Sequence, residues 1–305
     1  MLSHKNRRLL FWSLAVIFIF ATTTISLYAT GYRFNLNWPI KINKILQKTG
    51  ALFLNSEPTG AQVILTGHGG KELKITSGLF GKKSYQTPIK IKNLLPGEYF
   101  LEMTKDGYWP YKKIVNVFPG SAAYVEDVVL FRQDSPLKIQ EAKLQKIKLT
   151  ADKQNLILEK DQKIISLKTE KEVNVTLTNT TEPDLAKELN IVVPKDIKYF
   201  TKVNSEQILY ANDLEVYLFN LQSGQKSLIT RVSQPIIGLI FQPKGFAIYS
   251  TDTNIYLINL KDRSNVTLLA SMKKLETPVL NAKGDTLYFT ALNGDGEGLY
   301  KLAIK

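Results

Sequence analysis

Cysteine is absent from all 305 residues. Its absence excludes disulfide staples, thiolate chemistry and lipid attachment at a lipobox cysteine together. Histidine is nearly absent. His4 precedes a long apolar stretch, so His68, in the loop Gly67-His68-Gly69-Gly70, is the one imidazole in the remainder of the chain. A Ser-His-Asp triad or a multi-histidine zinc site therefore has one candidate histidine or none, and His68 reads as an exposed loop residue. No Gly-x-Ser-x-Gly elbow and no Walker-type loop occur. Acids are missing from residues 1–50, which carry seven Lys/Arg, whereas 51–140 carry eleven against eight and 141–305 twenty-two against nineteen. More than half of the +13 formal charge thus sits beside the apolar stretch, where basic residues set topology and meet anionic head groups. No basic stripe with interleaved aromatics appears, so nucleic acid is not an expected partner.

What stands out next is a gap in charge: twenty-four residues separate Arg8 from Arg33 without one formal charge. At about 1.5 Å per helical residue they reach roughly 36 Å, enough for a hydrocarbon core of about 30 Å. A signal peptide would share the basic start, but its apolar region usually runs to about 7–15 residues. The clearest small-x-small site, Ala21-Thr22-Thr23, lies inside the run rather than after it. The reading is an uncleaved single-pass anchor: a cytoplasmic tail over 1–8, a transmembrane helix over 9–30 and a linker over 31–49. Lys5, Arg7 and Arg8 face Arg33, Lys41, Lys44 and Lys48 across the span, and the short tail favours leaving residues 1–8 inside. The expected location is the cell membrane, with the bulk of the chain outside the cytoplasm.

Residues 50–132 alternate as strands do. Ala51–Leu54, Ala61–Leu65, Ile89–Ile91, Tyr99–Met103, Ile114–Val117 and Tyr124–Leu130 are separated by Pro58-Thr59-Gly60, Pro96-Gly97, Asp106-Gly107 and Pro119-Gly120. Short strands at this spacing predict a β-sandwich of about 80 residues. Pro58-Thr59-Gly60-Ala61, then Asn93-Leu94-Leu95-Pro96-Gly97-Glu98-Tyr99 and Lys105-Asp106-Gly107-Tyr108, resemble the PEGA domain, with Thr59 where the family name spells Glu. Thr30-Gly31-Tyr32-Arg33-Phe34-Asn35 is similar to the junction that follows the span in bacterial membrane-anchored proteins of this kind. The resemblance implies an extracytoplasmic sandwich that binds or spaces, with no catalytic residues to carry over. The stretch Gly67 to Gln86 departs from it, being longer than the turn expected there.

Residues 140–305 repeat. Tyr210, Tyr249 and Tyr288 are spaced by 39, as are Tyr217 and Tyr256, and Asn220 and Asn259. An earlier, degenerate copy covers Leu156 to Leu167. Short strands recurring near 40 residues predict β-propeller-like blades, with the three tyrosines in equivalent buried sites. The 165 residues from Glu141 allow roughly four blades, as a ring, as an arc completed by the sandwich, or as a stack. The fold class is therefore all-β with one N-terminal transmembrane helix: a PEGA-like β-sandwich followed by a small or incomplete β-propeller-like domain.

Few residues offer themselves as a site. Trp109 and Tyr111, in Tyr108-Trp109-Pro110-Tyr111, place aromatic faces where a protein or glycan could meet them. Asp295 and Glu297 match only a fragment of a calcium loop and read as a hairpin tip. Asn174, Asn179 and Asn265 fit the glycosylation sequon but read as turn and strand residues. No metal or cofactor is expected. The function that follows is an envelope-anchored, non-catalytic binding or scaffold protein whose partner is an envelope protein or glycan. A carboxylate-based glycan hydrolase, needing two convergent acids about 5–10 Å apart, and a structural spacer are the alternatives.

Overall fold

The computed structural model describes residues 4–34, 45–67, 85–173, 197–263 and 265–305. His68, most of the stretch from Gly67 to Gln86, and the sequons at Asn174 and Asn179 lie outside them. The chain forms two compact units, one of residues 1–106 and 110–130, the other of 107–109 and 131–305.

The first unit begins with helix α1 (His4–Ala29). Its large apolar side chains, among them Leu9, Phe11, Trp12, Ile17, Phe18 and Phe20, are exposed, and residues 6–29 are long and apolar enough to cross a membrane. Four hydroxyls within it are satisfied by its own backbone. Thr22, Thr23 and Thr24 donate to the carbonyls of Phe18, Ile19 and Phe20 at 2.7, 2.8 and 2.8 Å, and Ser13 donates to Leu10 at 2.9 Å. Polar groups satisfied on their own helix can lie in hydrocarbon without the cost of an unmade hydrogen bond.

Eight strands follow in this unit: β1 (Tyr32–Phe34), β2 (Leu46–Lys48), β3 (Gly50–Glu57), β4 (Gln62–Gly67), β5 (Ile89–Leu94), β6 (Gly97–Thr104), β7 (Tyr111–Val117) and β8 (Ala122–Val129). The segment expected as a linker therefore contains a strand pair, β1 with β2. The other six form two three-stranded sheets, β5-β3-β8 and β4-β6-β7, with β3 and β8 parallel. Alternation buries Leu52, Leu54, Val63, Leu65, Leu101, Met103, Val115 and Val117.

The turn at Pro58-Thr59-Gly60-Ala61 shows why those residue types stand there. Gly60 has φ +81°, a conformation a side chain resists, and Ala61 is fully buried. Thr87 holds both: its carbonyl accepts from Gly60 N–H at 2.8 Å, and its Oγ1 accepts from Ala61 N–H at 3.1 Å. Lys105 Nζ, from the third signature run, donates to Thr59 O at 2.8 Å. Tyr99, closing the second, donates its hydroxyl to Leu95 O at 2.6 Å.

The second unit is four sheets in chain order. Its strands are β9 (Leu137–Gln140), β10 (Ile147–Leu149), β11 (Asn155–Leu158), β12 (Lys163–Ser166), β13 (Tyr199–Lys202), β14 (Gln207–Ala211), β15 (Glu215–Asn220), β16 (Lys226–Arg231), β17 (Gly238–Gln242), β18 (Phe246–Ser250), β19 (Asn254–Asn259), β20 (Val266–Ser271), β21 (Lys274–Leu275), β22 (Val279–Leu280), β23 (Thr286–Asn293) and β24 (Gly296–Ala303). Strands β10–β12, β13–β16 and β17–β20 make the first three sheets. The fourth runs β21-β23-β24-β9, with β22 beside β23. Its last strand comes from residues that precede the first sheet, so the chain ties the fourth sheet to the first. Their cores are shared as well: Ile147, Leu156, Leu158 and Ile165 pack with Tyr288 and Leu299. The second and third sheets share another, including Leu209, Ala211, Val216, Ala247, Tyr249 and Ile258.

The repeat has a physical basis in these sheets. Asn220 Oδ1 accepts from the N–H groups of Gln222 and Ser223, and Asn259 Oδ1 accepts from those of Lys261 and Asp262, at 2.8–3.0 Å. Tyr210 stacks on Tyr217 across the strand pair at 5.2 Å, and Tyr249 on Tyr256 at 5.1 Å. Tyr210, Tyr249 and Tyr288 are 1, 2 and 5 % exposed, but the third is not equivalent. In the fourth sheet the stacked pair is Phe289 with Tyr300, while Tyr288 faces the first sheet. A slip of one residue moves a strand side chain to the opposite face, and both faces here are covered, so tyrosine persists at the spacing without the same neighbours. The glycine-rich loop is also shorter than the sequence suggested. Asn293 pairs with Gly296 and Ala291 with Gly298, and a Cβ at Gly298 would lie 2.4 Å from Lys138 Cε of β9.

Truncating Tyr249 or Phe289 to alanine should cost about 3–5 kcal/mol, as for other buried aromatics. Lys283→Ala, in an exposed turn, should stay within about 0.5 kcal/mol. Denaturant midpoints measure the three; equal shifts would contradict the packing described.

Candidate functional site

The helix ends at a built junction. Thr30 N–H and Gly31 N–H donate to Ser26 O and Tyr28 O at 3.0 and 3.1 Å, and Gly31, at φ +86°, terminates the helix as a left-handed cap. Gly31 O then accepts twice from Thr49, from its N–H at 2.7 Å and its Oγ1 at 2.7 Å. Thr49 is itself buried, and its carbonyl accepts from Gly120 N–H at 2.9 Å. The next residue, Gly50, has no room for a side chain: a Cβ would come within 2.5 Å of Val117 Cγ1 and 2.6 Å of Phe118 O.

Beside this junction lies a groove of about 480 Å³ on the outer face of the β5-β3-β8 sheet. Register builds it. Phe53 of β3 stands opposite Lys90 of β5 and Tyr124 of β8, forming one row of outward side chains. Phe53 and Tyr124 stack at 4.8 Å and 18°, with Lys90 Nζ 4.2 Å from the Phe53 ring centre, an arrangement that holds the ammonium by the ring quadrupole. Two residues along, Ala51 opposes Ala122 and keeps the floor low. Lys92, Lys48, Thr30 and Ser121 complete the walls, and among the described residues no carboxylate lines the groove. Lys48 runs over Gly120, where a Cβ would lie 2.9 Å from its Cε. Arg33 Nη1 donates to Asn93 O at 3.3 Å. The result is an open, positive cleft with an aromatic wall, suited to an anionic group attached to apolar or hydroxylated carbon.

These residues were not singled out from sequence. Lys90 and Lys92 alternate with Ile89 and Ile91, and Phe53 alternates with Leu52 and Leu54, so their outward direction was readable. That β3 lies between β5 and β8 was not, because one of its two pairings spans some seventy residues.

Trp109 and Tyr111 fall in different compact units. Trp109 N–H donates to Phe131 O at 2.8 Å in the second; Tyr111 opens β7 opposite Met103 in the first. Both are half-buried. At the hairpin of Asp295 and Glu297 a cation is already supplied by the chain, since Lys138 Nζ donates to Asp295 O at 2.6 Å and to Glu141 Oε1 at 2.7 Å. Among the described residues no group of three or more His, Asp or Glu side chains converges as a metal site would.

The most strongly shifted acid is Glu215, held down to about 2 by hydrogen bonds from Tyr217, Arg231 and Asn212. Tyr217 Oη donates to Oε2 at 2.7 Å, Arg231 Nε to Oε1 at 2.8 Å and Asn212 Nδ2 to Oε2 at 3.2 Å. All four residues belong to β15, β16 and the turn before β15, so this is a staple across neighbouring strands.

Residues 49–128 match the PEGA domain. No curated protein matches the chain. Solved structures similar to it include the β-propeller domain of Myceliophteria thermophila Cps50 (Swd1), 15 % identical with a TM-score of 0.29, the match covering 51 % of this chain and 52 % of that one. An auxiliary nutrient binding protein from Bacteroides thetaiotaomicron is 12 % identical with a TM-score of 0.27, covering 76 % and 58 %. The chain thus spans little more than half the length of either.

The Glu215 staple gives a pH dependence. Below the ordinary glutamate value of 4.5 the unfolded chain takes up a proton that folded Glu215 refuses until about pH 2. Its contribution to stability should therefore be complete above about pH 4.5 and lost as pH falls to about 2. Thermal midpoints of wild type and Glu215→Gln across that range measure it, and the variant should show the shallower fall.

Proposed function

We propose that this chain is a single-pass, non-catalytic scaffold of the cell membrane. Its helix stays uncleaved, its bulk lies outside the cytoplasm, its PEGA domain is held at the membrane surface, and its propeller-like unit presents a head to a protein or glycan partner. The observation that carries the reading is the Thr49 junction, in which two donors from the sandwich close on the carbonyl two residues beyond α1. A helix destined for cleavage has no need of a hydrogen-bonded seat in the domain it releases. The internally satisfied threonines of α1 support a span in hydrocarbon. Trp109 and Tyr111 are the proposed partner contacts, since both are half-buried and aromatic side chains dominate the energetics of contact surfaces.

The full chain should remain with membranes after alkaline carbonate washing, and protease added to intact spheroplasts should remove the second unit. Release by carbonate would overturn the anchor, and protection of the second unit would overturn the orientation. Capture of an envelope partner from solubilised membranes should weaken with Trp109→Ala combined with Tyr111→Ala.

A further inference from the structure

The geometry points to a second role for the groove over β3: we propose that it seats the phosphate of an anionic phospholipid head group from the leaflet at which α1 ends. The proposal rests on α1 lying in the bilayer, as argued above.

Position is the first reason. Thr30 and Gly31 line the groove and follow directly on Ala29, the last residue of the apolar span. The head-group layer extends roughly 5–8 Å beyond each side of the hydrocarbon core, so a cleft bordered by these two residues opens into that layer. Charge is the second. Among the described residues Lys48, Lys90 and Lys92 line the groove with no acid beside them, and none of the three has a carboxylate partner. An ammonium left unneutralised beside anionic lipid gains about 1 kcal/mol. Shape is the third. The floor of Gly50, Ala51 and Ala122 admits a group between the lysines, and the Phe53–Tyr124 stack gives its glycerol carbons an apolar wall. The rim agrees. Phe118, in the turn whose Gly120 binds Thr49, is 65 % exposed, and Tyr124 is 63 % exposed; tyrosine in particular is enriched at membrane interfaces. The hydroxyl of Ser121 beside the lysines can donate to the same phosphate oxygens.

The test uses the full chain in neutral detergent micelles. Native mass spectrometry follows binding of short-chain phosphatidylglycerol, short-chain phosphatidylcholine and, as a competitor, free glycerol 1-phosphate. Wild type should prefer phosphatidylglycerol. The triple variant Lys48→Gln, Lys90→Gln, Lys92→Gln, in which only exposed side chains change, should lose about fivefold of that preference per lysine while keeping its thermal midpoint. A charge-matched variant in the second unit, Lys143→Gln, Lys146→Gln, Lys283→Gln, should retain it, which separates the groove from net charge and from the basic N-terminus. Equal binding of the two lipids by wild type, an unaltered preference in the groove variant, or an equal loss in the charge-matched variant overturns the proposal. Displacement by glycerol 1-phosphate at equal concentration also overturns it, in favour of a soluble phosphate ester. Carbonate release of the chain would remove the anchor itself, whereas retention without a head-group preference removes the groove alone.

Discussion

Three hydrogen bonds around Thr49 seat the sandwich on its apolar helix. Its N–H and hydroxyl both close on Gly31 O, and its carbonyl receives Gly120 N–H. One buried residue thus joins the cap of the apolar helix to the turn between β7 and β8. Buried backbone groups that lack partners are costly, so the junction is set by the need to satisfy three polar groups at once. Gly31 and Gly120 serve it with positive φ, and Gly50 by having no side chain in a space already filled. Through that seat the outer face of the sandwich, with its lysines and stacked rings, is held next to the end of the apolar helix instead of swinging on a tether.

The two units solve the problem of sheet edges differently. In the sandwich, β3 is central to its sheet, pairing with β5 on one side and β8 on the other, and the PEGA turn is pinned by Thr87 and Lys105. In the second unit the fourth sheet takes β9 as its outer strand, which spends four residues to tie the end of the chain back to the start of the unit. Lys138 of that strand also places its ammonium on Asp295 O, a contact that depends on Gly298 having no side chain. Four residues hold the last sheet to its own beginning.

Much of the fold was legible because its signals are local. All six strand runs of the sandwich became strands, their turns fell at the glycines and prolines, and the 39-residue spacing marked the second and third sheets. Asn220 and Asn259 recur because each closes the same side-chain-to-backbone turn. Where the sequence misled, the cause was register. Tyr288 keeps the spacing but not the face, since Phe289 stacks with Tyr300 in its place. The supposed linker holds a strand pair, and the glycine-rich loop is mostly strand, because long-range partners decide both. The groove was hidden for the same reason: Lys90, Phe53 and Tyr124 lie on three strands far apart in sequence, and alternation gives each one's direction but not its neighbours.

The most direct test of the account is amide hydrogen exchange of the full chain in lipid nanodiscs, read at Thr49 and Gly120. If the sandwich is seated on the helix, both amides should exchange as slowly as those of Leu52 and Leu54 in the core of β3, because Thr49 N–H is closed on Gly31 O and Gly120 N–H on Thr49 O. Exchange of Thr49 and Gly120 at the rate of an unstructured linker, with β3 still protected, would show a domain hanging free of its helix and would contradict the account.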